Sequence, residues 1–297
     1  MDDRDAGIVP LGGSRMLLTW FTADRRDSWM ENHLKGLDDE QRCFWEAGLK
    51  WFTDEAKGRF EGAWMRISDD AGATWKSPIK TPVNSPHGPI LLRDGSLLYF
   101  GKDFSNCDKF MQGRIIAVVS QDDGITWQTR GEVPLLSGTS WASYHEAHVV
   151  ELPDKHLIGM IRLQNSAGPN GDLSKFGLVN FSILQTESSD GGMTWTQPRP
   201  LGFHGSPPHI IRHSSGVLIL TYGYRLEPYG QRVAFSYDNG VTWDHDWILR
   251  DDGPNDDLGY PATVELPCGE LVTVYYQKPL DKFDKCAILH SRWSLPR

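Results

Sequence analysis

Apolar residues along this chain come in short paired runs separated by a tight turn, not in long helical stripes. The pairs are "GIVPLGGSRMLLTWF" (7–21), "HGPILLRDGSLLYFG" (87–101), "EAHVVELPDKHLIGMIR" (146–162), "PPHIIRHSSGVLILTYGYR" (207–225) and "GYPATVELPCGELVTVYYQ" (259–277). Each half is short, rich in β-branched and aromatic residues, and bounded by Gly, Asp, Ser or Pro. That pattern predicts a β-hairpin. Every hairpin but the last is followed by a third β-rich run and an acidic turn, which predicts four-stranded antiparallel blades. Five units are countable, the fifth cut short at "CAILHSRWSLP".

The acidic turn is itself a repeat: "SDDAGATW" from Ser68, "SQDDGITW" from Ser120, "SSDGGMTW" from Ser188 and "SYDNGVTW" from Ser236. Its spelling has a mechanical reading. The short Asp side chain accepts backbone N–H groups inside the turn, Gly takes a positive φ, and Trp packs back over the hairpin. The starts lie 52, 68 and 48 residues apart, so the repeated object is a supersecondary unit with variable loops, at periods that suit propeller blades. One segment breaks the pattern. Between Thr22 and Gly62, near residues 24–61, Phe44, Leu49, Phe52 and Ala56 fall at helical spacing after "LDDE", which predicts a solvated helical insertion on a blade loop.

Composition sharpens this all-β reading. The 297 residues are 39% hydrophobic, with 30 Gly, 18 Pro and 12 Trp, which suits many turns and short strands in one sizeable domain. A formal charge of -9 without a basic cluster argues against a nucleic-acid partner. No apolar run approaches the roughly 20 residues of a membrane helix. "MDDRDAG" carries neither a basic nor an apolar leader region, so if that start is authentic the expectation is a cytoplasmic chain. Cys43, Cys107, Cys268 and Cys286 lack metal-ligand spacing and read as free thiols. "HEAH" at 145–148 is not a helical zinc motif, and neither metal nor organic cofactor is expected.

Strand geometry converts sequence offsets into a site. Residues about eight before and eight after a hairpin turn meet at the same end of the blade, because a strand rises about 3.3 Å per residue. Counting from Asp154 reaches Glu146 and Arg162. Counting back from Cys268 reaches Tyr260, and counting back from Gly12 reaches Arg4, with Asp5 beside it. His87 and His209 lie seven and six residues before their turns. One mouth is therefore expected to collect Arg4, Asp5, His87, Glu146, Arg162, His209 and Tyr260, with the acidic turns at the opposite end.

The four acidic turns together with the hairpins resemble the sialidase superfamily over nearly the whole chain. The resemblance implies a six-bladed β-propeller, of which five blades are recognisable here as a single domain spanning 1–297. That family's first blade carries an Arg-Ile-Pro motif and an acid aspartate. Neither has a motif match in this chain, so its N-terminal blade is expected to be absent. By the same resemblance "YHEAHVVELPDKHLIGMIR" nominates Glu146 as a base and Arg162 as a carboxylate clamp, and "LGYPATVELP" nominates Tyr260 as the nucleophile. Arg225 is preferred to Arg232 as a further clamp residue. Arg4 and Asp5 hold mouth positions by offset alone. The implied activity is an exo-acting glycoside hydrolase for a terminal anionic sugar, with sialic acid foremost, acting on a carbohydrate partner. The alternatives are a glycan-binding propeller without catalysis, and a lyase or rhamnosidase-like enzyme using His87 and His209.

Overall fold

A computed structural model describes residues 2–24, 36–103, 113–166, 171–279 and 285–296. The chain is an all-β propeller of five antiparallel blades. Blade 1 is β1 (Asp2–Gly12), β2 (Arg15–Ala23), β3 (Gly62–Ser68) and β4 (Ile79–Lys80). Blade 2 opens with two short pieces, β5 (Val83–Asn84) and β6 (Ile90–Leu91), both paired to β7 (Leu97–Asp103), followed by β8 (Ile115–Ser120) and β9 (Gln128–Glu132). Pro86 and Pro89 fall in the gap between those pieces, where neither could donate to a ladder. Blade 3 is β10 (Tyr144–Glu151), β11 (Leu157–Leu163), β12 (Ser182–Ser188) and β13 (Arg199–His204). Blade 4 is β14 (Pro208–Arg212), β15 (Leu218–Tyr224), β16 (Gly230–Ser236) and β17 (Asp244–Arg250). Blade 5 has three described strands, β18 (Leu258–Glu265), β19 (Leu271–Gln277) and β20 (Ala287–Trp293).

The core lies between blades. Leu98, Phe100 and Ala117 of blade 2 pack on Tyr144, Leu157, Leu184 and Trp195 of blade 3. Ile158, Met160 and Ile183 of blade 3 pack on Ile210, Leu220 and Tyr222 of blade 4. Smaller clusters join blades 1 and 2 through Leu17, Met65 and Leu97, and blades 4 and 5 through Ile219, Phe235 and Leu271. Each fully buried aliphatic or aromatic side chain is worth about 1.5–3 kcal/mol, so these seams hold the blades in register. The outer flanks differ. Val264, Val274 and Ile288 on blade 5 and Ile8 on blade 1 are exposed apolar residues. A cavity of about 550 Å³ opens between those two blades, with Val274 and Ile288 in its wall.

The acidic turns are built alike. In the first, the Ser68 hydroxyl donates to Asp70 (2.8 Å) and accepts from the Gly72 N–H (2.8 Å), while Thr74 donates to Asp70 through its N–H (2.8 Å) and hydroxyl (2.6 Å). Ser120, Ser188 and Ser236 head the same network in the other three. The donated bonds, from the Thr side chain first, hold Asp70, Asp190 and Asp238 at about 2, below the ordinary carboxylate range. Two consecutive residues turn left-handed, for example Asn239 (φ 57°) and Gly240 (φ 89°), so the glycine is only half of the device. Neighbouring blades lean on these turns: Arg15 reaches Asp123 (2.7 Å), Arg130 reaches the Gly191 carbonyl (3.1 Å), and Arg199 reaches the Gly240 carbonyl (2.5 Å).

The described part of the insertion in blade 1 contains two helices, α1 (Asp39–Leu49), capped by Asp38, and α2 (Asp54–Phe60), capped by Thr53. Neither buries a residue, and Phe44 is 75% exposed. The turn at 50–53 splits the expected apolar stripe. Cys43, Cys268 and Cys286 are free thiols, whereas Cys107 lies outside the described residues.

Candidate active site

Three innermost strands carry a β-bulge near the same end, opposite the acidic turns. In β1 the pairing passes from Arg4↔Phe21 to Gly7↔Thr19, so Asp5 and Ala6 oppose one residue. In β10 it passes from Tyr144↔Leu163 to Ala147↔Ile161, setting His145 and Glu146 against Arg162. In β18 it passes from Gly259↔Tyr276 to Ala262↔Val274, setting Tyr260 and Pro261 against Tyr275. A bulge breaks the pleat and re-aims a side chain. Asp5 and Tyr260 reach their positions at φ 54°, a left-handed conformation that costs a residue other than glycine about 1–3 kcal/mol.

The bulges bring Tyr260, Glu146 and Arg162 into contact across the mouth. The Tyr260 hydroxyl donates to Glu146 Oε1 at 2.6 Å, and Arg162 Nη1 donates to the same oxygen at 3.0 Å. Nη1 also lies 3.5 Å from the Tyr260 oxygen. Glu146 Oε2 and Arg162 Nε are buried and make no hydrogen bond among the described residues. Burial pushes the Glu146 carboxyl up, but the charge of Arg162, then His145, then the bond from Tyr260 outweigh it, so the carboxyl sits below its ordinary range. Burial, Glu146 and Asp5 push the Tyr260 hydroxyl well above 10. In this state the phenol is neutral and its partner is a carboxylate.

Arg225 completes the cationic side. Its Nη1 donates to the Asp256 carbonyl at 2.8 Å, and burial raises the Tyr276 hydroxyl while Arg225 lowers it through charge and a hydrogen bond. A Cβ on Gly259 (φ 127°) would stand 3.3 Å from Arg225 Nη2, so glycine beside Tyr260 leaves room for the guanidinium. Arg232, the less preferred candidate, is locked by the carbonyls of Pro228 (2.9 Å), Gln231 (3.2 Å) and Arg250 (2.7 Å). Asp5 lines one cavity with Tyr260, and its charge acts on both Tyr260 and Arg162. Arg4 stands in the same cavity wall, ion-paired with Asp2 at 2.5 Å and half exposed.

His87 lines the same cavity as Arg4, Asp5 and Tyr260. It also stacks with His209 and His148, with ring centroids 4.7 Å (His87–His209), 5.1 Å (His87–His148) and 4.5 Å (His148–His209) apart. All three are buried. His148 and His209 lie six residues before their turns, and neither lines that cavity. His148 Nδ1 accepts from the Ile210 N–H (3.1 Å) and His209 Nδ1 from the Thr263 N–H (3.2 Å), each tying its inner strand to the next blade. Burial drives His87 and His148 well below 6.5 and His209 to about 3. Among the described residues no group of three or more His, Cys, Asp or Glu is placed to hold a metal ion.

Three further residues border the site. Lys102 donates to the carbonyls of Trp141 (3.0 Å) and Tyr144 (2.5 Å), bracing the turn that leads into Glu146, and burial lowers it to about 8. The eight-residue count that reaches Arg162 also reaches Lys102 from Asp94, and Tyr276 from Cys268, so both were accessible to sequence reasoning. Phe181, just before β12, was not. The guanidiniums of Arg162 and Arg225 lie over its ring, 5.1 and 6.0 Å from the centroid.

A family model described as a BNR repeat-like domain matches residues 50–272. No curated protein sequence matches the chain. Among solved structures, a protein of unknown function from Dyadobacter fermentans DSM 18053 superposes with a TM-score of 0.73 at 23% identity, covering 99% of this chain and 77% of that one. A Trypanosoma rangeli sialidase in complex with sialic acid gives 0.57 at 15% identity over 98% of this chain and 44% of that one. A Penicillium chrysogenum alpha-L-arabinanase complexed with arabinobiose gives 0.57 at 13% identity over 92% and 77%. The chain thus spans less than half of that sialidase's length. At these identities the similarity is one of fold.

Proposed function

Because the chain belongs to the BNR repeat-like domain family, we propose that its mouth hydrolyses glycosides of a terminal anionic sugar, of the sialic acid class, with Tyr260 as nucleophile and Glu146 as its base. The observation that carries this reading is the triangle of Tyr260, Glu146 and Arg162, in which one carboxylate oxygen receives both the phenol and the guanidinium. An anionic sugar repels a carboxylate nucleophile. A neutral phenol escapes that repulsion, and tyrosine nucleophiles are a recognised exception among glycosidases.

The substrate carboxylate enters beside Arg162 and Arg225 and takes over guanidinium donors. Arg162 then holds Glu146 less tightly, the Glu146 pKa rises, and the carboxylate becomes able to accept the Tyr260 proton. The phenolate oxygen bonds to the anomeric carbon as the glycosidic bond breaks. The leaving oxygen takes a proton from the acid, for which Asp5 is the nominee. Water then attacks the anomeric carbon as that carbon's bond to the Tyr260 oxygen breaks; Asp5 takes a proton from the water, and Glu146 gives its proton back to the released Tyr260 oxygen.

Fluorogenic glycosides of sialic acid, a hexuronic acid and arabinose test this reading. Release from the sialoside, abolished by Tyr260→Phe, is the expected outcome, and inertness toward every acidic glycoside overturns it. One observation favours a binding propeller instead: the free site holds Tyr260 firmly protonated and engages Arg162 internally. Calorimetric binding of the free sugar acid without turnover of any glycoside would select that reading.

A further inference from the structure

We propose that Phe181 is a positioning residue that fixes the two guanidiniums of the carboxylate clamp, and so sets the preference for charged over neutral sugars. The inference rests on the reading of Arg162 and Arg225 as that clamp. Three observations converge. Both guanidiniums lie over the Phe181 ring, at 5.1 and 6.0 Å from its centroid. The Nε atoms of both arginines are buried and make no hydrogen bond among the described residues, so neither guanidinium plane is anchored at its stem. Each is held at its tip instead, Arg162 by Glu146 and Tyr260, and Arg225 by the Asp256 carbonyl and Tyr276. The Phe181 face is the contact that both cations share, and it orients them while leaving other N–H groups for a ligand.

The backbone supports the same assignment. Phe181 sits at φ 53°, a conformation that a bulky residue rarely adopts and that its surroundings must enforce. The enforcement is visible. The Phe181 carbonyl accepts from the Gly205 N–H at 2.7 Å, the Asn180 carbonyl pairs with His204 Nδ1 at 3.1 Å, and Asn180 Oδ1 accepts from the Asn165 N–H at 2.8 Å. The His204 ring, 6.2 Å away at 65°, closes the edge of the Phe181 ring. Glycine or asparagine would adopt this backbone more readily. Phenylalanine there brings its ring under two cations.

The test separates ring from backbone. Phe181→Asn keeps a residue that tolerates positive φ and deletes the aromatic face, whereas Phe181→Tyr keeps the face. For free N-acetylneuraminic acid measured by calorimetry, Phe181→Asn should weaken binding about ten- to thirtyfold, the scale of two cation–π contacts. Phe181→Tyr should stay within about threefold. With a sialoside, KM should rise and kcat should hold. A crystal structure of Phe181→Asn supplies a readout that needs no ligand: both guanidiniums should shift or disorder. If both stay in place, Phe181 is not a positioning residue, whatever the activity. Unchanged affinity in Phe181→Asn, or a loss confined to kcat, overturns the proposal equally. If the wild type binds no sugar acid while the guanidiniums of Phe181→Asn do move, the clamp reading fails and the positioning role stands.

Discussion

The two ends of the same blades obey opposite rules. At the turn end, four copies of one motif satisfy their Ser, Asp and Thr side chains within short range, and the left-handed residues of those four motifs are Gly, Ala, Asp or Asn. At the mouth end, left-handed positions carry Asp5, Tyr260 and Phe181, and Glu146 Oε2, Arg162 Nε, Arg225 Nε and His145 Nε2 are buried without hydrogen bonds among the described residues. One end relaxes strain and the other retains it. Strain of this kind persists only where the surrounding structure over-determines it, and the turns together with the inter-blade seams provide that rigidity.

The sharpest way to divide the ends is Tyr260→Phe. Loss of one hydroxyl should leave the melting temperature nearly unchanged and lower turnover by about 10³-fold or more if Tyr260 is the nucleophile proposed above. Glu146→Gln should do comparable damage, and the double variant little more, because residues of one catalytic unit are not additive. Multiplying losses in stopped assays would break the pairing. Arg162→Lys comes next. Lysine cannot copy a two-pronged contact, so binding of a sugar acid should weaken by about 1–3 kcal/mol in calorimetry, with neutral sugars unaffected.

Ser188→Ala reverses the comparison. Ser188 is buried, donates to Asp190 and accepts from the Gly192 N–H, so its removal should cost about 1–3 kcal/mol in urea denaturation while kcat at saturating substrate holds. A variant that lost activity without losing stability would show that the turn end is not merely mechanical.

The smallest effect concerns pH. Burial depresses His87, His148, His209 and, to about 4, His145, so the unfolded chain takes up protons at these positions before the folded chain does. Their contribution to stability is complete above about 6.5 and declines as pH falls below it. His209→Asn, whose amide oxygen can still accept from Thr263, should remove about 1.4 kcal/mol per pH unit from that slope between pH 6 and 4. An unaltered melting-temperature profile would mean that His209 is not held neutral.

Much of the site was legible because a strand is a ruler. The places of Glu146, Arg162 and Tyr260 follow from counting eight residues from a turn and that of Asp5 from counting seven, and the count of eight would have found Lys102 and Tyr276. His87, seven residues before its turn as Asp5 is before Gly12, lines the cavity too, whereas His209, six residues before its turn, is buried against His148. The count could not reach Phe181, which lies just before the third strand of blade 3 and owes its left-handed backbone to contacts with Gly205 and neighbouring groups.

Alternation of apolar residues and the spelling of the acidic turns act over fewer than ten residues, so the sequence by itself determined the blades, their strand order and their relaxed end. The partners of each mouth residue were decided only by the tertiary structure. Glu146 and Tyr260 are 114 residues apart. Their 2.6 Å contact depends on how blades 3, 4 and 5 pack side by side and on two bulges that break the pleat, and neither is encoded in any single hairpin.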